Sequence, residues 1–326
     1  MTAPSMAIAE EMRVISPWGA ARGRFLRNLL AVVGLVVLLV LGIACYASLP
    51  YFMGSVSATE STPRYTFQDL DHVLASPGPA HRFGTDRLGR DLLARFMVGG
   101  AISLAIGLAS AAVAVVIGTS VGLIAGYAGG RTDAVLMRFV DVMYGLPYIL
   151  LVILMRVALV PWATLLLDRK SFSWLVSNPG QCANVIVLLV GIGAVSWLTM
   201  ARVVRGQVLS LRDQPFIEAA RAMGLSNRTI LLRHLLPNLV GPIVVYATLA
   251  VPAAILSESF LSFLGLGIQP PLPSWGNLAS DGIEAISPVR IYWWLLAFPC
   301  IGLSLTLLCL NFVGDGLRDA LDPKAR

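Results

Sequence analysis

AISLAIGLASAAVAVVIGTSVGLIAGY, residues Ala101 to Tyr127, holds twenty-seven residues without one Asp, Glu, Lys, Arg or His. Coiled as an α-helix it is about 40 Å long, whereas about 20 residues suffice to cross the ~30 Å hydrocarbon layer of a bilayer. It lacks the one-sided alternation of a helix with one face in water, so an apolar surrounding suits its whole circumference. Charge-free blocks of similar length run from Leu29 to Leu49, Cys182 to Ala201, Leu235 to Ser257 and Ile291 to Val313. A sixth apolar run, Val142 to Leu167, is interrupted by Arg156. The pattern predicts an all-α membrane protein with six transmembrane helices.

Composition agrees. Of 326 residues 57% are hydrophobic and 13% charged, with mean hydropathy +0.78, against about 25% charged in a soluble domain. The first apolar block follows 28 residues and is itself 21 long, too far in and too long for a cleaved signal peptide, so it reads as a retained span. Cys45, Cys182, Cys300 and Cys309 show no CxxC spacing, and His72, His81 and His234 offer no metal-ligand spacing, so no metal and no cofactor is expected.

An even number of spans puts both termini on one side. Arg13, Arg22, Arg24 and Arg27 ahead of the first span argue that this side is cytoplasmic. With that choice fifteen of the 24 Lys and Arg residues fall on inner segments, while the 18 acids divide equally. The net charge of +6 therefore lies on the inner face, which accounts for the basic pI by the positive-inside rule and without nucleic acid as a partner. Arg82, Arg87, Arg90 and Arg95, in the expected external loop, run against the pattern.

Between the fourth and fifth spans lies RVVRGQVLSLRDQPFIEAARAMGLSNRTILLRH, Arg202 to His234, which is long and patterned for a connector. Asp213 and Pro215 mark a helix start, and Gly224 a helix stop. Phe216, Ala219, Ala220 and Met223 recur at helical spacing. Ser226 caps a second helix that enters the fifth span at Pro237, with a bend expected there. This two-helix bracket, with small residues at Ala219, Ala220 and Ala222, is either a docking face for another protein or an element packed on the chain's own helix ends.

EAARAMG followed by LP resembles the coupling-helix signature of permease subunits of binding-protein-dependent ABC importers. The matching residues are Glu218, Ala219, Ala220, Gly224, Leu236 and Pro237, with His234 where an apolar residue is usual; RHLLPN, Arg233 to Asn238, is similar to the version in the peptide-permease branch. FGTDRLGRD (Phe83 to Asp91), LMRFVDVMYGLPYILLVIL (Leu136 to Leu154), ESFLSFLGLG (Glu258 to Gly267), SWG (Ser274 to Gly276) and NFVGDGLRDALDP (Asn311 to Pro323) are similar to the C-type subunit of oligopeptide/dipeptide importers. The likeness runs in order from about residue 83 to the end.

This resemblance implies the type I ABC importer permease fold, an inner-membrane location, and both termini in the cytoplasm. It divides the chain into a tail (1–28), a first transmembrane helix (29–49), an external loop (50–99), a permease core (100–313) containing the coupling loop 202–234, and a second tail (314–326). It implies a second homologous permease subunit, ATP-binding subunits and an external solute-binding protein, with oligopeptides or dipeptides as cargo and nickel or another small solute as the alternative. In the family, Glu218 would anchor the coupling helix, Ala219 and Ala220 would permit close approach, and Gly224 would turn the chain. The only lysines, Lys170 and Lys324, follow Arg169 and Pro323, so no P-loop is present and this chain is not expected to hydrolyse ATP itself.

Arg156 either snorkels to the outer interface or faces a wet pathway and meets an anionic group of the substrate. Asp141, Glu258 and Asp315 read as markers of span ends, and Trp162, Trp174, Trp293 and Trp294 as interfacial anchors. Residues 157–181 look longer than the family's usual connection. A self-contained secondary transporter or channel would show inverted repeats, and none is found. An intramembrane enzyme would need a nucleophile with its base or a metal site, and no histidine lies within the apolar blocks.

Overall fold

A computed structural model describes residues 17–55, 62–168, 178–286 and 290–321. The apolar blocks coil into helices because lipid offers no partner for backbone N–H and C=O groups, which must pair within the segment. The elements are α1 (Pro17–Arg27), α2 (Leu29–Met53), α3 (Leu92–Ala128), α4 (Gly130–Tyr144), α5 (Tyr148–Leu167), α6 (Pro179–Leu211), α7 (Pro215–Ala222), α8 (Asn227–Thr229), α9 (Leu236–Phe263), α10 (Trp275–Glu284) and α11 (Trp293–Leu321). A π-turn, Ile230–Leu235, joins α8 to α9, so that Asn227–Phe263 runs as one helix. Among the described residues, six helices are long and apolar enough to cross a membrane: α2, α3, α5, α6, the Asn227–Phe263 helix and α11.

The helices overrun the charge-free blocks. α3 starts at Leu92 because Asp91 caps it, the Oδ1 atom accepting from the Ala94 N–H at 2.9 Å. α6 continues ten residues past Ala201 to Leu211, and Val204 and Val208 in that extension are fully buried. Most of Arg202 to His234 is therefore helix rather than loop. Just before Pro237 the helix passes through the π-turn, in which Leu236 N–H donates to Leu231 O.

α3 and α6 form the centre of the bundle, and the contact is made by glycine. A Cβ on Gly118 would lie 2.5 Å from Met200 Cβ, one on Gly122 2.6 Å from Ala201 O, and one on Gly126 2.8 Å from Val208 Cβ. Small residues at every fourth position let two helices in lipid approach backbone to backbone, and dispersion contacts then hold them. α2 packs on α11 in the same manner, with Gly34 against Cys309 and Gly316 against Ala31.

At one end of the bundle, the loop end, residues 62–91 fold over the start of α3. Asp86 is their hub: its Oδ1 accepts from the N–H groups of Leu88 and Arg90, and its Oδ2 from Arg90 Nε and Arg95 Nη1, both at 2.7 Å. Arg95 also reaches Asp281 at 3.1 Å, and Arg87 pairs with Glu284 at 3.4 Å. Three of the four arginines that run against the charge pattern are thus partnered by carboxylates at their own end of the bundle. Phe83 stacks on Phe298 at 4.0 Å beside a core centred on the fully buried Trp275.

Two expectations fail here. Trp294 is buried and donates its Nε1–H to Thr85 O at 3.4 Å, so it pins the loop instead of anchoring at an interface; Trp162 and Trp293 are exposed. Glu258 is no span-end marker: it is completely buried, because hydroxyls replace the water it would lose. Its Oε1 accepts from Ser262 Oγ at 2.7 Å and its Oε2 from Ser259 Oγ at 3.3 Å. Trp174, Lys170 and Lys324 lie outside the described residues, as do both chain ends and 169–177 of the long connection.

Candidate functional site

At the other end, the bracket end, the sequence-predicted coupling residues gather around the ends of α3 and α6. Arg212 closes α6 and donates from Nη1 to Gly126 O at 3.1 Å, satisfying a carbonyl at the end of α3. Two turns earlier Arg205 makes a two-pronged pair with Asp133 of α4, at 2.5 and 2.6 Å. These hydrogen bonds hold the Asp133 carboxyl below the ordinary carboxylate range, with partial burial working the other way.

Gln214 stands at the N-cap of α7 and Pro215 at its first position, where a missing N–H costs nothing. Ile217 and Ala220 are fully buried against a cluster containing Leu123, Val204, Val208, Ile230 and Leu235. Ala220 therefore lets α7 approach this chain's own helices. The outer stripe is left exposed: Phe216 at 41%, Met223 at 71%, and Ala219 and Ala222 between them. Both readings of the bracket thus find residues. One side of the short helix packs inward, while the other presents apolar side chains.

Glu218 is exposed in the first turn of α7, where its charge complements the positive end of the helix dipole. Gly224 ends the helix with φ +73°, its N–H donating to Arg221 O at 2.9 Å while Leu225 N–H donates to Ala220 O at 3.2 Å. That pair of bonds is the Schellman arrangement, which needs a left-handed residue at Gly224. Ser226 Oγ accepts from Thr229 N–H and starts the next helix. Tyr127, near the end of α3, ties the bracket down by donating its hydroxyl to Asn227 Oδ1 at 2.9 Å, with Arg221 over its ring at 5.4 Å. Leu236 is half-buried beside the cluster, and Pro237 is exposed.

Arg156 lies far from these residues, towards the loop end. Its Nη2 donates to Asn184 Oδ1 of α6 at 3.0 Å and its Nη1 to Leu266 O, just beyond α9. Its Nε is buried and makes no hydrogen bond. The guanidinium borders an open cavity of about 430 Å³ lined also by Ile153, Val160, Asn184 and Gln269. It is thus neither free in lipid nor fully in water, and it links α5 to α6 and to the turn after α9.

Sequence reasoning missed three arrangements at the loop end. These are the Asp86 hub, the serine nest of Glu258, and the convergence of Asp69, His72 and His81, whose potential ligand atoms all lie within 4.8 Å of one another. The serine nest had a local signal, since Glu258 and Ser262 are four apart on one helix face. The other two join residues brought together only by the fold of the loop.

Comparison with known proteins gives two family matches: residues 118–326 match the binding-protein-dependent transport system inner membrane component, and residues 16–77 the N-terminal TM domain of oligopeptide transport permease C. The chain is 44% identical over 323 residues to the oligopeptide transport system permease protein OppC of Haemophilus influenzae, covering 97% of this chain and 92% of that protein. It is 46% identical over 317 residues to OppC of Escherichia coli K12, covering 95% and 92%. With the dipeptide transport system permease protein DppC of Bacillus subtilis it shares 41% over 303 residues, covering 93% and 84%. Among solved structures, one titled "Inward facing conformations of the MetNI methionine ABC transporter" superimposes with TM-score 0.51 at 21% identity, over 71% of this chain and 98% of that one. At that identity the likeness bears on the fold, which is that of an ABC importer permease.

Proposed function

Because the chain belongs to the family of binding-protein-dependent transport system inner membrane components, we propose that it is one of two permease subunits of an ATP-driven importer of oligopeptides or dipeptides. The observation that carries this reading is the division of α7 into a buried side and an exposed apolar stripe. Phe216, Ala219 and Met223 form a knob on a seat fixed to α3, α6 and α9 by Ile217 and Ala220. Separate ATP-binding subunits grip this knob. Their closure on ATP moves the bracket, and the tightly packed α3 and α6 carry the movement along the bundle as a rigid body. Glu218 and Gly224 hold the form of α7, Ala219 admits the partner closely, and Leu236 and Pro237 fix where the bracket joins the fifth span.

The pathway forms between this chain and a second, homologous permease, fed by an external solute-binding protein at the loop end. Both termini and the bracket face the cytoplasm, consistent with Arg202, Arg205, Arg212, Arg221, Arg228 and Arg233 gathering there. Arg156 serves as a fixed positive group at the mouth of the outer cavity, where the carboxylate of a peptide can reach it.

The test is to purify the tagged chain from its native membrane in mild detergent and identify its stoichiometric companions by mass spectrometry. A second six-span permease together with P-loop ATPases is the expected result. Recovery of the chain alone, under conditions that preserve other membrane complexes, would overturn the proposal.

A further inference from the structure

The loop that covers the start of α3 contains a group of side chains that the transport reading does not use. Asp69 stands just ahead of the single 3-10 turn Leu70–His72 and caps it, its Oδ1 accepting from Asp71 N–H at 3.2 Å. Its backbone N–H donates to Gly89 O at 3.1 Å, and a Cβ on Gly89 would lie 1.9 Å from Asp69 O, so Gly89 permits the close approach that fixes this residue. Oδ2 faces the two histidines and is hydrogen-bonded to His72 Nδ1. His72 Nδ1 lies 2.9 Å from it and His81 Nε2 lies 3.9 Å from it.

The other nitrogen of His81 is committed. Nδ1 lies 2.9 Å from Asp91 Oδ2, and because a carboxylate only accepts, Nδ1 carries the proton. A neutral His81 therefore points the lone pair of Nε2 at the Asp69 carboxylate. Two electron-rich atoms face each other across 3.9 Å, which calls for a cation between them. Asp91 is itself held, since its Oδ1 caps α3 through the Ala94 N–H. A histidine whose remote N–H is held by a carboxylate is the usual outer support of a metal-ligating imidazole.

We infer that Asp69, His72 and His81 form a binding site for a divalent transition-metal ion of the Zn²⁺ type, with Asp91 as the positioning residue behind His81. Two imidazole nitrogens and one carboxylate oxygen suit such an ion and leave the fourth position of a tetrahedron open to water or to a donor from a partner. Metal–ligand bonds of about 2.0–2.2 Å place ligand atoms about 3.3–3.6 Å apart. The observed 2.9 and 3.9 Å bracket that spacing and all three ligand atoms lie within 4.8 Å of one another, so side-chain rotations complete the site. His72 is exposed and provides the way in. The bound ion ties the segment 69–81 to the cap of α3 and stiffens the surface that precedes that helix.

The test uses the full chain in detergent with a histidine-free affinity tag, stripped by a chelator. Zn²⁺ is titrated against a chromophoric competitor, and Co²⁺ is added as a spectroscopic probe. The expected result is one equivalent of tight Zn²⁺ and the intense visible bands of four-coordinate Co²⁺. His72→Ala and His81→Ala should abolish both, and Asp91→Asn, which keeps an oxygen to cap α3, should weaken Zn²⁺ about 10- to 100-fold. Thermal unfolding of the metal-free His72→Ala variant should match that of the metal-free parent, separating ligand loss from misfolding. Stoichiometric Zn²⁺ retained by the His72→Ala, His81→Ala double variant would overturn the inference. So would failure of the parent chain to bind Zn²⁺.

Discussion

Replacing Gly224 by valine separates backbone conformation from packing, because a Cβ at this position would meet nothing within 4 Å. The whole effect then comes from φ +73°. Holding an ordinary L-residue there costs about 1–2 kcal/mol, and a β-branched one up to about 3 kcal/mol. Against this stand the burial of Ile217, about 1.5–3 kcal/mol, and the two Schellman hydrogen bonds at about 1 kcal/mol each. The strain is thus comparable with what seats α7. A shift of about 2 kcal/mol changes the ratio of seated to unseated bracket roughly 30-fold. The spans do not share this strain, so the variant should accumulate in the membrane normally and lose most ATP-driven uptake when reconstituted with its partners. Gly224→Asn should retain uptake, since Asn tolerates the left-handed region, and Gly224→Ala should lie between. Normal transport by the Val variant, or an Asn variant as damaged as Val, would refute the reasoning.

Asp133 has a depressed folded-state pKa, so its pair with Arg205 contributes stability above the unfolded value of 3.8 and loses it as pH falls through the folded value. The melting-temperature gap between the parent and Asp133→Asn should therefore hold steady from neutral pH down to that range and shrink below it; a gap that widens in acid would contradict the pairing. Glu258→Ala should cost at least about 2 kcal/mol, from orphaned serine hydroxyls plus a cavity, and Glu258→Gln much less, both read by thermal unfolding in detergent. Equal losses would argue against the serine nest. Arg95→Met leaves Asp86 and Arg90 as a buried remnant and should destabilise by about 3 kcal/mol, the low end for removing one member of a buried ion pair. An unchanged melting temperature would show that the hub does not hold the loop.

Uninterrupted apolarity made the six spans readable, but it marks what tolerates lipid and not where a helix ends. α6 could extend past Ala201 because Arg205 and Arg212 find partners in Asp133 and Gly126 O, and those partners lie far away in sequence. The bracket was legible as two helices because Pro215, Gly224 and Ser226 are local signals. Which side of α7 packs inward was not, since an eight-residue helix carries two overlapping apolar stripes, 216/219/220/223 and 217/220, and only the surrounding cluster chooses between them. Trp294 read as an interfacial residue because the carbonyl it meets belongs to Thr85, more than two hundred positions earlier. Asp69, His72, His81 and Asp91 stayed invisible for the same reason: their meeting depends on how the loop folds back through Gly89.

The glycine contact between α3 and α6 also fixes a length. At about 1.5 Å per residue the 37 residues of α3 measure about 55 Å from the bracket end to the loop end. If, as proposed, ATP-driven closure moves the bracket, α3 with α6 pressed against it over several turns acts as one arm of a lever, and a tilt of about 10° imposed at the bracket displaces its far tip by roughly 10 Å. That is about the diameter of a helix with its side chains. Replacing Gly118, Gly122 or Gly126 by a larger residue would force the two helices apart and add play at the fulcrum, so that the same stroke would arrive at the other end shortened.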